Sequence, residues 1–220
     1  MKKIAFITVG QSPRNDMSDV WKKLGNCEII QAGVLDNLSD AYIEKKLAPV
    51  NGDAVLVTKK QNGNTVIISE KYISPLIDKC VKYVEEKGAD IIVLLCTGET
   101  VRISSSKIVL HMNDVVTNYV LASGLKKSIG IVIPDERQRD IMENRWEKKG
   151  ITVKSFVANP YSNAEEHKLM AEKIKNESLA MLILDCMGFK EEHAKIYSDK
   201  LGIPVILPRI ALVMLLKTLL

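Results

Sequence analysis

An internal repeat is the feature that most constrains the fold of this 220-residue chain. Residues near the N-terminus reappear, with the same identity, 125 positions later. The matched pairs are Lys2 and Lys127, Ile4 and Ile129, Arg14 and Arg139, Met17 and Met142, Trp21 and Trp146, Lys23 and Lys148, and Gly25 and Gly150. The two tryptophans of the chain are therefore partners, and the repeat predicts two structurally related halves.

A second match between the halves falls at a smaller shift. Residues 89–98 resemble residues 179–188 at a separation of 90 positions, and each stretch has an apolar run, a cysteine and a glycine. The first half is therefore about 35 residues longer than the second. Asn62-Gly63 between β-branched runs is a strong hairpin signal, so an inserted hairpin near residues 54–68 accounts for much of the excess.

Apolar runs alternate with amphipathic runs along both halves, which is typical of parallel sheets covered by helices. We predict an α/β fold with two pseudo-symmetric Rossmann-like halves, mainly parallel sheets and a cleft between the halves. The first half spans residues 1–112 and the second 113–220, with the C-terminal helix a candidate to pack back on the first half. Strands are predicted at 4–9, 27–33, 54–58, 65–68, 90–95, 108–110, 129–133, 152–157, 180–184 and 204–206. Helices are predicted at 16–24, 39–46, 69–87, 114–123, 135–149, 163–177, 191–201 and 208–219.

Composition excludes several classes of function. The net charge is only +4 and basic residues are interleaved with acidic ones, which argues against nucleic acid as the partner. No apolar run reaches the ~18–20 residues that span a bilayer, so we expect no membrane association. The first apolar run is short and leads directly into a Gly-Gln-Ser-Pro turn, so it predicts a strand rather than an export signal, and a cytoplasmic protein.

The chain has four cysteines, and their spacing argues against metal sites, while the expected lack of an export signal argues against disulfides. No CxxC pair and no Cys/His cluster with metal-ligand spacing occurs, so no metal is expected. Neither a Walker A loop nor a GxGxxG motif occurs, so no nucleotide cofactor is expected. Cys80 lies on the apolar stripe of a predicted helix and Cys27 at a predicted strand start, and both are interpreted as structural.

Cys96 and Cys186 each follow the C-terminal end of a predicted parallel strand, where ligands bind in open α/β sheets. A glycine two positions later, Gly98 or Gly188, would allow the backbone to approach a ligand closely. Two thiols from pseudo-symmetric halves could act on opposite faces of a carbon acid, one removing the α-proton and the other returning a proton. The alternative is that each cysteine is a small buried hydrophobe.

Arg14 follows the first strand, and the Gly10-Gln11-Ser12-Pro13 turn before it would direct the guanidinium toward the cleft to hold a substrate carboxylate. Its repeat partner Arg139 is interpreted as a helix-face residue. Backbone amides near Gly98 and Gly188 could bind the same anion. The residues predicted to contact substrate are Gly10, Gln11, Ser12, Arg14, Thr97, Gly98, Met187 and Gly188.

The stretches at residues 7–16 and 184–189 resemble the two signatures of the AroM family, which itself resembles the Asp/Glu/hydantoin racemase superfamily. The resemblance runs nearly end to end. It implies two α/β domains with the active site between them, and cofactor-independent racemisation or related isomerase and decarboxylase chemistry. The superfamily's paired catalytic cysteines map onto Cys96 and Cys186, and its carboxylate loop maps onto Gly10, Gln11, Ser12 and Arg14. The glutamate racemase motifs differ, since Cys96-Thr97-Gly98 and Cys186-Met187-Gly188 lack their Asn and His.

Other polar residues have open roles. Asp185 could orient a thiol or a substrate amine, or cap the following turn. Glu99 and Thr100 could line the cleft, and His193 could reach the second cysteine. His167 is predicted on a solvated helix face, and residues 104–106 in a loop.

Two functions follow from these patterns. The first is a cofactor-independent racemase, epimerase or isomerase that acts on a small carboxylate or amino-acid-like carbon acid through Cys96 and Cys186. The alternative is a non-catalytic small-acid-binding or regulatory protein on the same scaffold. We expect a small carboxylate as ligand and a homodimer as the assembly, because dimers are common for this architecture.

Overall fold

The computed structural model describes residues 1–98, 102–125 and 128–220. The chain divides into two compact units. The first unit consists of Met1–Val115 with Leu212–Leu220, and the second of Val116–Ala211. Each unit has its own parallel sheet, so the predicted α/β class with mainly parallel sheets is confirmed.

Ten strands are present in the described residues. They are β1 (Lys3–Thr8), β2 (Glu28–Gly33), β3 (Val55–Lys59), β4 (Thr65–Ser69), β5 (Ile91–Leu94), β6 (Ile108–His111), β7 (Ile129–Ile133), β8 (Val153–Val157), β9 (Leu182–Leu184) and β10 (Val205–Ile206).

Eight α-helices are present in the same part of the chain. They are α1 (Ser18–Leu24), α2 (Asp40–Lys46), α3 (Ser74–Glu86), α4 (Met112–Ala122), α5 (Arg139–Glu147), α6 (Ala164–Ile174), α7 (Glu191–Leu201) and α8 (Pro208–Leu219). The unit boundaries after Val115 and Ala211 fall inside α4 and α8.

The sheet of the first unit has the strand order β2-β1-β5-β6, and all its neighbours are parallel. All four residues of β5 are buried, as are five of the six in β1, which explains why these runs are almost entirely apolar. Strands β3 and β4 form a separate antiparallel hairpin. Its turn includes Gly63, whose φ of +87° favours glycine, as the Asn62-Gly63 signal predicts.

The sheet of the second unit has the order β10-β9-β7-β8 and is also parallel. Strands β7, β8, β9 and β10 occupy the places that β1, β2, β5 and β6 occupy in the first sheet. The matched glycines Gly25 and Gly150 end equivalent helices, and both have positive φ, 77° and 73°. The repeat read from the sequence is therefore a repeat of structure.

Two predicted helices are interrupted near their start. The run predicted from residue 69 begins as a 3₁₀ turn, Glu70–Tyr72, and α3 starts at Ser74 with a proline in its first turn. The run predicted from residue 135 also begins as a 3₁₀ turn, Glu136–Gln138, before α5. Helix α4, in contrast, starts two residues earlier than predicted.

Each unit has its own apolar core. In the first, Ile7, Leu94 and Cys80 belong to one buried cluster that includes the apolar stripe of α3. In the second, Trp146 and Ile131 belong to a cluster on one side of the sheet, and a further cluster contains Leu184. None of the described helices is both long and apolar enough to cross a membrane.

Candidate active site

The two cysteines at the strand ends lie in backbone turns of the same kind, one in each unit. In the first unit, the amide of Leu95 donates to the carbonyl of Ile7 (2.8 Å), and the amide of Cys96 donates back to Leu94 (2.9 Å). In the second unit, Asp185 donates to Val132 (2.8 Å) and Cys186 to Leu184 (2.8 Å). The repeat thus presents one cysteine at the same point of each sheet.

Cys96 is 9% exposed and belongs to the apolar core of the first unit. A Cβ at Gly98 would lie 3.1 Å from Leu56 Cδ2 and 3.5 Å from Cys96 Sγ. The turn is held by Asn113 at the start of α4, whose side-chain amide donates to the carbonyl of Gly98 (3.1 Å). Thr97, within this turn, is also buried.

Cys186 is partly exposed and lies at the start of a tight turn. The amide of Phe189 donates to the carbonyl of Cys186 (3.2 Å), and the amide of Gly188 donates to Cys186 Sγ (3.3 Å). A Cβ at Gly188 would lie 2.9 Å from both Pro160 and Tyr161, so this position requires glycine because of a close approach. Met187 is buried.

The loop after β1 is bound to the hairpin β3–β4. A Cβ at Gly10 would lie 2.2 Å from the carbonyl oxygen of Lys59, which leaves no space for a side chain. The amide of Gln11 donates to the same carbonyl (3.0 Å), and its side-chain oxygen accepts from the amide of Gln61 (2.7 Å). The inserted hairpin therefore supports the loop in which substrate-binding residues are predicted.

Asp36 organises the other side of this loop, and sequence reasoning missed it. Its carboxylate accepts from the amide (2.7 Å) and the hydroxyl (2.6 Å) of Ser12 and from the amide of Gly33 (2.7 Å). Ser12 and Asp36 also line a cavity of about 420 Å³ that extends to Leu76 and Lys79 on α3. An acid shortly after a strand that ends in glycine is the signal that could have identified Asp36.

Arg14 is 5% exposed, and its guanidinium makes a bidentate pair with Asp16 at 2.7 and 2.8 Å. It also donates to the hydroxyl of Thr8 (3.0 Å). The turn at Gly10–Pro13 thus directs Arg14 to groups of its own loop, and these contacts order the loop. Arg139 is one-third exposed and pairs with Glu136 and Glu143, as expected of a helix-face residue.

Asp185 lies directly before Cys186 and forms a buried ion pair with Arg145 of α5 (3.1 Å). The two side chains are 0% and 2% exposed. The sequence suggested Asp185 as a polar group near the thiol, but it did not identify Arg145, because a residue on a charged helix gives no indication of burial.

Two histidines form a buried stack next to the turn of Cys186. The ring centroids of His167 and His193 lie 4.2 Å apart, and each lies 5.8 Å from the ring centroid of Phe189. His167 is 0% exposed and lies within hydrogen-bond distance of the Tyr197 hydroxyl (3.2 Å), so the prediction of a solvated position was wrong. A helix face with charged neighbours predicts exposure, but α6 packs against α7 on this side.

Burial disfavours the charged form of both histidines. Burial lowers the pKa of His167, and burial with the neighbouring His167 lowers the pKa of His193 to about 4. His193 Nδ1 accepts a hydrogen bond from the amide of Lys190 (3.1 Å). Burial also raises the pKa of the Tyr197 phenol.

The remaining predicted residues fall into two groups. Glu99 and Thr100, suggested as cleft residues, lie outside the described residues. The other two cysteines have thiols of raised pKa because of burial: Cys27 modestly, and Cys80 to about 11 with a contribution from Asp36. Within the described ranges, no group of three His, Cys, Asp or Glu side chains converges as a metal would require.

Comparison with protein families gives a match over residues 4–220 to the model described as AroM protein. The chain belongs to the AroM family. A search of curated protein sequences gives no match. The AroM family membership agrees with the resemblance carried by residues 7–16 and 184–189.

Solved structures share the fold of this AroM protein at low sequence identity. A double mutant of arylmalonate decarboxylase in its liganded form has a TM-score of 0.69 at 12% identity, covering 99% of this chain and 93% of that one. Glutamate racemase from Aquifex pyrophilus has a TM-score of 0.61 at 17% identity, with 99% and 84% covered. Maleate cis-trans isomerase from Nocardia farcinica has a TM-score of 0.66 at 11% identity, with 100% and 92% covered. The AroM chain therefore has the fold of the Asp/Glu racemase superfamily.

Proposed function

We propose that this AroM protein is a cofactor-independent racemase, epimerase or isomerase that acts on a small carboxylate or amino-acid-like carbon acid. The observation that carries the proposal is the repeated turn with Cys96 and Cys186 at equivalent strand ends. The fold shared with racemases, a decarboxylase and an isomerase adds support.

The proposed chemistry is proton transfer at a carbon next to a carboxylate. One cysteine, as thiolate, removes the α-proton and becomes a thiol, while the carbanion's charge is delocalised onto the carboxylate. The other cysteine, as thiol, gives a proton to the opposite face and becomes a thiolate. The charges and protons balance, so no cofactor is needed, but the thiols exchange protonation states with each turnover.

The substrate carboxylate requires donors near both turns. We propose that the turns at Thr97-Gly98 and Met187-Gly188 contact the anion, because they directly follow the two cysteines at the C-terminal ends of parallel strands, where ligands bind in open α/β sheets. For Gly10, Gln11, Ser12 and Arg14 we propose a supporting role in shaping the site. The amides of Gln11 and Ser12 already bind the hairpin and Asp36, and the Arg14 guanidinium binds Asp16.

One observation favours the alternative of a non-catalytic small-acid-binding or regulatory protein. Cys96 is 9% exposed and lies in an apolar cluster, and buried structural thiols are inert. In this alternative the turns bind an acid but do not move a proton. For either function we propose a small carboxylate as ligand and a homodimer as the assembly.

The test is exchange of the α-proton in deuterated water, followed by NMR on a pool of small carboxylic and amino acids. We expect the wild-type chain to exchange at least one acid. Cys96→Ala and Cys186→Ala should each lower the exchange or racemisation rate by about 10²-fold or more, the usual contribution of a general acid or base.

Cys27→Ala is the matched control, since Cys27 is also partly exposed but lies before β2, at the other end of its sheet from Cys96. Its exchange rate should equal that of the wild type. Binding of an acid with no exchange by the wild type, and unchanged binding in both alanine variants, would instead support the non-catalytic protein.

A further inference from the structure

The peptide group between Met187 and Gly188 connects a buried arginine to the second cysteine. Its carbonyl oxygen accepts a hydrogen bond from Arg209 Nε (2.7 Å). Its N–H, which belongs to Gly188, donates to Cys186 Sγ (3.3 Å). In a trans peptide these two groups point in opposite directions, so one planar unit is held at both ends.

Arg209 is placed for this contact by the fold of the second unit. It lies in the first turn of α8 and is 1% exposed. Its Nη2 also donates to the carbonyl of Gly188 (3.3 Å), so two successive carbonyls face the same guanidinium. A guanidinium keeps its charge at any physiological pH, and a buried charge acts more strongly than an exposed one.

We propose that Arg209 is a positioning residue for Cys186, which holds and polarises the Met187–Gly188 peptide so that its N–H stabilises the thiolate form of that cysteine. A hydrogen bond to the charged form of a group favours that form. A positive charge on the carbonyl side of the peptide makes its N–H a stronger donor, because hydrogen bonds in a chain polarise one another. A catalytic role for the stabilised Cys186 thiolate rests on the proposed function, but the stabilisation itself does not.

The first unit offers a partial counterpart. There Asn113, in the first turn of α4, donates to the carbonyl of Gly98. Asn113 is neutral, whereas Arg209 is charged. The repeat therefore keeps a side-chain donor from the helix after the fourth parallel strand. In the described residues, the donor to the first turn is a neutral amide and the donor to the turn of Cys186 is a cation.

Other charged and titratable groups also lie near the turn. Asp185 would oppose thiolate formation, but it is paired with Arg145 of α5. Burial lowers the pKa of both His193 on α7 and His167 on α6, which disfavours their charged forms. Lys190 and Glu192 pair with each other at the start of α7. Among the residues that the structure describes, Arg209 is thus the cation whose contact leads to the sulfur through one peptide.

The experiment measures the rate of iodoacetamide alkylation of Cys186 against pH by peptide mass spectrometry, which needs no turnover. In the wild type, the Cys186 profile should have its midpoint below that of an ordinary thiol, about 8.5, and below that of Cys27 in the same samples. In Arg209→Met the thiolate fraction of Cys186 at pH 7 should fall about tenfold, equivalent to about one pH unit in the midpoint. Arg209→Lys keeps the positive charge but loses the forked guanidinium. Its Cys186 midpoint should lie between those of the wild type and Arg209→Met.

Arg139→Met is the matched control, since Arg139 lies on α5 and pairs with exposed acids; its Cys186 profile should match the wild type. An ordinary midpoint for Cys186 in the wild type would overturn the proposal without any variant, which covers the case that Arg209→Met fails to fold. An unchanged midpoint in folded Arg209→Met would overturn it too. A lowered midpoint without exchange of any acid would refute the proposed function but not the role of Arg209.

Discussion

At the scale of single residues, buried charges are concentrated next to the second cysteine. Arg145 and Asp185 form an ion pair that is almost fully buried, and Arg209 is buried against carbonyl groups. Burying charges costs free energy unless they are paired, so such groups are informative about the site. Their partners explain why the chain can keep them in its core.

We predict that Arg145→Met destabilises the protein by about 3–5 kcal/mol, because it leaves the carboxylate of Asp185 buried without its guanidinium. The double variant Arg145→Met with Asp185→Leu should recover most of this loss, since neither charge remains. Urea unfolding followed by circular dichroism measures both values. Arg139→Met, which removes a partly exposed pair, should change stability by about 1 kcal/mol or less. A double variant no more stable than Arg145→Met would contradict the explanation.

At the scale of elements, the inserted hairpin β3–β4 distinguishes the first unit from the second. Its strands match the residues predicted from Asn62-Gly63 to within one residue at each end. The sequence did not indicate which segments this hairpin would contact. The hairpin binds the loop after β1 through Gln11, and its Leu56 lies next to Gly98, so it supports both predicted site segments of that unit.

Gly10→Ala tests this support. The new Cβ would lie 2.2 Å from the backbone oxygen of Lys59, so the hairpin or the loop must move. We expect a loss of about 1–3 kcal/mol, the usual cost of overpacking. Amide hydrogen exchange should become faster in β3 and β4 while β5 stays protected. Asn64→Ala, at the exposed end of the hairpin, should leave both the stability and the exchange unchanged. Uniform acceleration across the sheet would argue against a local effect.

At the scale of the whole molecule, the formal net charge is +4 and becomes more positive in acid. The buried histidines add a specific acid sensitivity. The folded-state pKa of His193, about 4, lies below the unfolded value of about 6.5. The unfolded chain therefore binds more protons between these values, so stability is full above about pH 6.5 and decreases as the pH falls toward 4.

The corresponding prediction is a loss on the order of 2–3 kcal/mol between pH 7 and pH 4.5 from this residue, because each pKa unit is worth about 1.4 kcal/mol. His193→Gln should be less stable than the wild type at pH 7 but lose less on acidification. His111→Gln is the comparison variant: burial and Arg102 lower the pKa of His111 while Asp114 raises it, so this variant should reduce the acid loss by less than His193→Gln does. Denaturant titrations at both pH values measure the free energy of unfolding. An equal decrease on acidification in the wild type and in His193→Gln would refute the prediction.

The sequence alone determined the α/β class, the two related halves, the hairpin and the position of both cysteines just past a strand end. These features follow from local patterns: hydrophobic periodicity, turn residues and a repeat whose spacing can be counted. They are encoded over a few neighbouring residues, so they can be read without knowing what packs against them.

Only the tertiary structure decided which polar groups are buried and what they bind. The pair between Arg14 and Asp16 could not be read from the sequence, and His167 was expected in solvent but lies in the core. Arg145 and Arg209 gave no distinguishing signal in the sequence. The physical reason is that burial and hydrogen bonding depend on segments far apart in the chain. Arg209, for example, reaches Met187 across 22 positions, and no local pattern records that contact.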